Sequence, residues 1–125
     1  MSLTAEQIAN LRQLQDVLRT VPEENYHHDR VFNNCGTPAC AYGYAAAAGI
    51  GGLRAVNTPY GRFTDHDSLY KVYGTTDLVA NVIFGDNAWN RVFNSHAYDD
   101  QAEEDCEVTP RMVIDRIDQF VGECS

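Results

Sequence analysis

At the centre of the chain, residues 37–49 read TPACAYGYAAAAG. Proline is tolerated in the first turn of a helix, where its missing N–H needs no partner, and the hydroxyl of a preceding threonine can cap that turn. The alanines favour helix, and Gly49 suits the left-handed residue that commonly ends one. We therefore predict a helix that begins at Pro38 and ends at Gly49. Its small side chains allow close approach, so we expect it to be buried at the centre of the fold.

Two longer helices are predicted at the ends of the chain. In residues 5–20 a Thr4–Gln7 capping box precedes apolar residues at steps of three and four, and Pro22 ends the pattern. A second Thr-Pro pair, Thr109-Pro110, precedes another apolar face, with Gly122 as the expected stop. The two apolar faces consist of Ile8, Leu11, Leu14, Leu18 and Val21, and of Val113, Ile114, Ile117, Phe120 and Val121.

The middle of the chain is predicted as a long loop followed by short helices. Residues 50–63 hold three glycines and a proline, which favour loop. The apolar runs 69–73 and 78–84 each lie between a Thr-Asp pair and a glycine, which favours capped helices, and Trp89 suggests one more turn. Both runs are also compatible with strands, because β-branched and aromatic residues suit either structure.

These patterns together predict an all-α fold. The 125 residues fit one domain, and a hydrophobic fraction of 44% is ordinary for a globular chain. We expect a compact single helical domain over residues 1–125, with five or six short helices and a long central loop.

The charge balance excludes several classes of partner. Nine Lys and Arg residues stand against eighteen Asp and Glu residues, and the formal net charge is −9. Direct binding to a nucleic-acid backbone or to an anionic membrane surface needs the opposite sign. No signal peptide and no apolar run of membrane-spanning length is visible. We therefore expect a soluble cytosolic protein, with no cofactor, an undetermined oligomeric state and a protein as its partner.

Six carboxylates are concentrated in residues 99–107, a stretch without a basic residue. The pattern lacks the alternating ligands and central glycine of a calcium-binding EF-hand loop. It is compatible with a solvated loop or with a surface that contacts a basic partner, including one that mimics a nucleic-acid backbone. The candidate binding residues are Asp99, Asp100, Glu103, Glu104, Asp105 and Glu107.

Residues 26–40 concentrate histidine and cysteine. A zinc site would use His27 or His28 with Cys35, Cys40 and a distant cysteine, although the expected second close pair of ligands is absent. His28, Cys35 and Cys40 are therefore weak metal candidates. Cys40 could instead be a nucleophile, since the start of a helix lowers the pKa of a thiol, with one of the four histidines as its base.

Two simpler interpretations apply to the same cysteines. Cys40 is compatible with a small apolar side chain packed in the core, as unpaired cysteines usually are. A Cys35–Cys40 disulfide would require an oxidising compartment, so we expect reduced thiols.

The motif Cys-Gly-Thr-x-x-Cys-x-x-Gly resembles one found in small proteins of tailed bacteriophages and prophages. Here it is formed by Cys35, Gly36, Thr37, Cys40 and Gly43. The group often has Trp or His after the last glycine, whereas this chain has tyrosine there, which weakens a metal site. The resemblance implies a phage setting and a shared helical fold, and it transfers no catalytic residue.

These observations lead to three hypotheses of function. The first is a phage-encoded accessory protein, not an enzyme, that binds a host defence or regulatory protein through an acidic and aromatic surface. The second is a structural or decoration component of the virion. The third is a cysteine- or zinc-dependent enzyme.

Overall fold

The chain forms a mixed α/β fold of several helices and one short antiparallel hairpin, which packs against the helix Ala41–Ala48. The computed structural model describes residues 3–28, 30–33, 36–66, 68–94, 97–98 and 108–124. Its elements follow in the order α1 (Ala5–Leu18), a 3₁₀ turn (Glu23–Asn25), α2 (Ala41–Ala48), a 3₁₀ turn (Ile50–Gly52), β1 (Arg54–Thr58), β2 (Gly61–Asp65), α3 (Leu69–Tyr73), α4 (Thr76–Phe84), a π-helical turn (Trp89–Phe93) and α5 (Pro110–Cys124). The prediction of an all-α fold is therefore wrong.

The correction comes from the segment predicted to be a long loop. Strands β1 and β2 pair antiparallel, with Thr58 opposite Gly61, so Pro59 and Tyr60 alone form the turn. The Thr58 hydroxyl accepts from the Tyr60 N–H (3.2 Å) and donates to the Gly61 carbonyl (2.8 Å). The proline and glycine that indicated a loop thus belong to a tight hairpin turn. Because neither strand contains a fully buried residue, the alternation of polar and apolar residues was too weak to reveal them.

The central helix α2 is present, but it begins later than predicted. Pro38 forms an antiparallel bridge with Phe32 in place of a first helical turn. The helix therefore begins at Ala41, with Cys40 as its N-cap residue. Its end agrees with the prediction, because Gly49 adopts the left-handed conformation at φ 73°.

A close crossing explains the glycine inside α2. The chain at Val31 passes over this helix, and a Cβ placed on Gly43 would lie 2.0 Å from the Val31 carbonyl oxygen. The same Val31 carbonyl accepts a hydrogen bond from the Ala39 N–H at 3.0 Å. The close approach expected of the small residues in α2 is therefore present at Gly43, but the element that packs there is the segment before the helix and not another helix.

Helix α1 follows the predicted pattern. The Gln7 N–H donates to the Thr4 hydroxyl at 3.1 Å, and the Gln7 side chain accepts from the Thr4 N–H at 2.9 Å, which completes the capping box. Leu11, Leu14 and Leu18 are buried, as the apolar stripe predicts. The helix ends at Leu18, two residues before the predicted end.

Helix α5 begins at Pro110, where the Thr109 hydroxyl accepts from the Met112 N–H at 3.2 Å. The five predicted core residues of this helix are buried. The predicted stop at Gly122 is wrong, because the helix continues to Cys124. A side-chain amide joins α5 to α1, since Gln15 donates to the Ile114 carbonyl and to the Asp118 carboxylate, each at 2.9 Å.

The two apolar runs after the hairpin are helical, as preferred from sequence. Helix α3 ends at Gly74 in the left-handed conformation, and α4 ends at Gly85. The expected cap at Thr64 is wrong, because Thr64 and its neighbour Asp65 belong to β2. One hydrophobic cluster joins residues of α1, α2, α4, the π-helical turn and α5, and it leaves the outer sides of α3 and α4 exposed.

Candidate functional site

The six carboxylates predicted to contact a partner lie outside the described residues, as do Cys35 and His96. The remaining motif residues Gly36, Thr37, Cys40 and Gly43 are all described. Gly36 has a φ of 89°, which favours glycine, and Thr37 precedes the bridge at Pro38. Cys40 is 4% exposed and belongs to the hydrophobic cluster, in agreement with the interpretation of a packed core side chain.

A buried hydrogen-bond network lies beside Cys40 and contains His28. The carbonyl of Asn94 can only accept, so the His28 Nε2–H donates to it (2.9 Å). In the neutral ring Nδ1 then accepts from the Tyr26 hydroxyl at 2.9 Å. The Tyr26 oxygen in turn accepts from the Ala41 N–H at 3.2 Å, at the start of α2. Both nitrogens of His28 are therefore engaged within the protein.

The rings around this network are closely packed. His28 stacks on Tyr26 with ring centroids 5.9 Å apart and meets the edge of Tyr98 at 5.0 Å. Burial raises the pKa of Tyr26 well above its usual value, so its hydroxyl stays protonated and remains a donor. The network therefore holds His28 in one tautomer and ties the segment before α2 to the π-helical turn.

A cavity of about 280 Å³ opens next to the network, with His28, Cys40, Arg30 and Asn94 among its lining residues. The indole of Trp89 also lines it, stacked on Phe93 with centroids 6.0 Å apart. His28 would have to give up a hydrogen bond to ligate a metal or to accept a proton from a thiol. The cavity thus brings together His28 and Cys40, two of the three weak metal candidates. Both ring nitrogens of His28 are already hydrogen-bonded within the protein.

Of the other described histidines, neither His27 nor His66 lines the cavity that holds Cys40. His66 lies at a different cavity, where its Nε2 is 3.1 Å from the Gly51 carbonyl oxygen and its Nδ1 accepts from the Leu69 N–H at 3.4 Å. Within the described ranges, no three His, Cys, Asp or Glu side chains form a group that could hold a metal ion. No helix there is long and apolar enough to cross a membrane.

The second cavity is a groove of about 390 Å³ between α1 and α4, which we call the α1–α4 groove. Its walls include side chains from the first turns of α1, from α3 and from the last turn of α4. Its lining residues include Glu6, Gln7, Asn10, Leu69, Val82 and Ile83.

Four apolar side chains of α3 and α4 are exposed, and we call this set the α3–α4 apolar surface. Val72 is 73% exposed, Tyr73 43%, Leu78 44% and Val82 36%. Leu78 and Val82 are four residues apart on α4 and therefore lie on one face of that helix. Val82 belongs to both features, so the surface leads directly into the groove.

Sequence reasoning assigned these four side chains to helices but did not recognise their exposure. The signal was present in α4, where apolar residues at 78, 79, 82, 83 and 84 are too many for a single face of a nine-residue helix. Val79, Ile83 and Phe84 are buried, whereas the other two apolar residues, Leu78 and Val82, are exposed. In a helix apolar on more than one face, the additional face indicates a contact surface.

Comparisons with protein-family models, curated proteins and solved structures returned no match.

Proposed function

We propose that the protein is a phage-encoded accessory protein that acts by binding another protein in the host cytoplasm. Inhibition of a host defence or regulatory protein is the role that suits it best. The phage setting rests on the resemblance of residues 35–43, and the binding role rests on the surface of the molecule.

The observation that carries the proposal is the α3–α4 apolar surface. Leu78 and Val82 lie one helical turn apart on one exposed face of α4, and exposed apolar groups of this kind mark contact sites. Here they belong to a chain with a formal charge of −9, whose field favours a partner of opposite sign and repels nucleic acids.

The test is recovery of a partner from host lysate by the tagged protein, with quantitative mass spectrometry of what is bound. We expect a specific host protein that a Val72→Ser/Leu78→Ser variant binds about 25-fold more weakly, because each of the two lost apolar contacts weakens binding by roughly 1 kcal/mol, or about fivefold. Tyr60→Ser is the matched control, since Tyr60 is 92% exposed on the hairpin turn, away from α3 and α4.

Two results would contradict the proposal. One is the absence of any specific partner for the wild-type protein. The other is abundant peptides of this chain in purified phage particles, which would favour a structural component of the virion.

A further inference from the structure

We propose that the α1–α4 groove binds a Lys or Arg side chain from a basic amphipathic helix of the partner protein, while the α3–α4 apolar surface binds the apolar face of that helix. This inference rests on the proposed function and names the chemistry of the partner. Four features support the inference. They are the charge of the groove, its apolar floor, the adjoining α3–α4 apolar surface and the charge of the whole chain.

Glu6 is the one carboxylate among the described residues that line the groove, and these residues include neither Lys nor Arg. His66 also lines the groove, and its ring nitrogens already contact the Gly51 carbonyl oxygen and the Leu69 N–H. The Glu6 carboxylate is a full negative charge, exposed in the first turn of α1. It outweighs the roughly half positive charge of that helix end, and the end of α4 adds roughly half a negative charge. No basic residue in the last turn of α4 neutralises it.

The acceptors at the end of α4 are held in place by α1. The Gln7 amide donates to the Val82 carbonyl at 3.2 Å, and the Asn10 amide donates to the Ile83 carbonyl at 3.0 Å. A carbonyl oxygen has two lone pairs, so each can accept a second hydrogen bond. The groove thus offers fixed acceptors and a carboxylate to an incoming cation.

The floor of the groove suits the aliphatic stem of a long basic side chain. Leu69 and Val82 line it, together with Ile83, which is buried. Lys and Arg commonly pack their methylene groups on apolar surface while the charged head reaches polar groups. An apolar side chain bound in the groove would pack against its apolar floor. It would supply no positive charge to pair with the Glu6 carboxylate.

The part of the α3–α4 apolar surface that lies on α4 indicates that the partner segment is a helix. Leu78 lies one helical turn from Val82 and is exposed on the same face of α4. A ligand helix with a basic residue in the groove and apolar residues one turn away would cover both. A second copy of this chain is a poor occupant, because two molecules of charge −9 repel each other.

The test uses a defined probe, a 14-residue amphipathic peptide of leucine and lysine with four-residue spacing, titrated calorimetrically at low salt. Its control replaces every lysine by glutamate. We expect the lysine peptide to bind and the glutamate peptide not to bind. In nuclear magnetic resonance spectra the largest amide shifts should occur at Gln7 and Ile83.

Matched variants separate the groove from general attraction to an acidic protein. Glu6→Gln and Val82→Ser should each weaken binding about fivefold, the equivalent of roughly 1 kcal/mol. Glu24→Gln removes the same charge near the opposite end of α1, and Tyr60→Ser removes an exposed apolar side chain elsewhere, so both should leave the affinity unchanged. Melting temperatures of all four variants check that each is folded.

Three results would overturn the inference. These are equal weakening by Glu6→Gln and Glu24→Gln, comparable binding of the glutamate peptide, and a concentration-dependent dimer that Val82→Ser dissociates. If the host partner is recovered equally well by Glu6→Gln and Val82→Ser, the groove is excluded while the protein-binding function stands. A wild-type protein that recovers no partner contradicts the function itself.

Discussion

At the scale of single residues, the most constrained position is Gly43. The Val31 carbonyl occupies the space that any side chain at this position would need. Moving the Val31 carbonyl away from α2 would cost free energy, because it is part of the backbone and accepts a hydrogen bond from the Ala39 N–H. The glycine of the motif therefore has a packing role that is independent of any chemistry at Cys40.

We predict that Gly43→Ala destabilises the protein by about 2–4 kcal/mol, because the added methyl group forces the two backbones apart. Urea unfolding followed by circular dichroism measures the free energy of unfolding. Gly122→Ala is the matched control, because it lies inside α5 with open space around it and should stabilise the protein by about 0.5–1 kcal/mol. Equal free energies of unfolding for Gly43→Ala and the wild-type protein would contradict the close crossing.

Sequence reasoning predicts a residue well where local physics determines its structure. The Thr4–Gln7 capping box needs only neighbouring backbone, and the observed bonds agree with it. Pro38 shows the limit, because its pairing partner Phe32 is supplied by a separate strand-like segment. The local preference of Thr37-Pro38 favours a helix that begins at Pro38. The bridge between Pro38 and Phe32 prevents this, so the helix begins at Ala41.

At the scale of elements, helices α1 and α5 are joined through a carboxylate. Asp118 accepts from Gln15 and forms an ion pair with Arg12, and these two partners lower the pKa of its carboxyl group below the usual value. A carboxyl group whose pKa is lower in the folded state stabilises the fold at pH values above its pKa in the unfolded chain. That stabilisation is lost as the pH falls through the folded-state pKa.

We predict that Asp118→Asn reduces the difference in unfolding free energy between pH 7 and pH 3, because the charged form no longer contributes. The effect is small, since Asp118 is largely exposed. Asp115→Asn is the control, because Asp115 pairs only with Arg111 of its own helix among the described residues. Urea unfolding at both pH values measures the difference, and an identical pH dependence of Asp118→Asn and the wild-type protein would refute the link.

The hairpin shows why the fold class could not be derived from sequence. Strand β2 runs Gly-Arg-Phe-Thr-Asp, and Phe63 is half exposed while Arg62 turns inward to donate to the Gly36 carbonyl at 2.7 Å. The pairing with β1 stabilises this arrangement, and no periodic apolar pattern accompanies it. The outward side of α4 is a different case, because its apolar residues exceed what one face needs, but hydrophobicity alone does not show which of them face the core.

At the scale of the whole molecule, the charge of −9 bears on every association the protein makes. Six of the carboxylates lie in residues 99–107, outside the described residues. An electrostatic contribution to binding has a recognisable signature, because it falls as salt is added.

We predict that amide substitution of the six carboxylates weakens recovery of the host partner and flattens its dependence on salt. The variant combines Asp99→Asn, Asp100→Asn, Glu103→Gln, Glu104→Gln, Asp105→Asn and Glu107→Gln. It raises the formal charge by six, from −9 to −3. Recovery at 50 and 300 mM salt tests this, and a salt dependence equal to that of the wild-type protein would show that the stretch is only a solvated loop.

The position of Trp89 has a practical consequence for such measurements. It is the only tryptophan of the chain, and it meets Tyr42 edge-on at 5.5 Å between centroids while lining the cavity that holds His28 and Cys40. Its fluorescence therefore reports from one known position. Ligand entry into that cavity would change the emission directly. Trp89 is not among the residues that line the α1–α4 groove, so a large change in emission would indicate a ligand in the cavity.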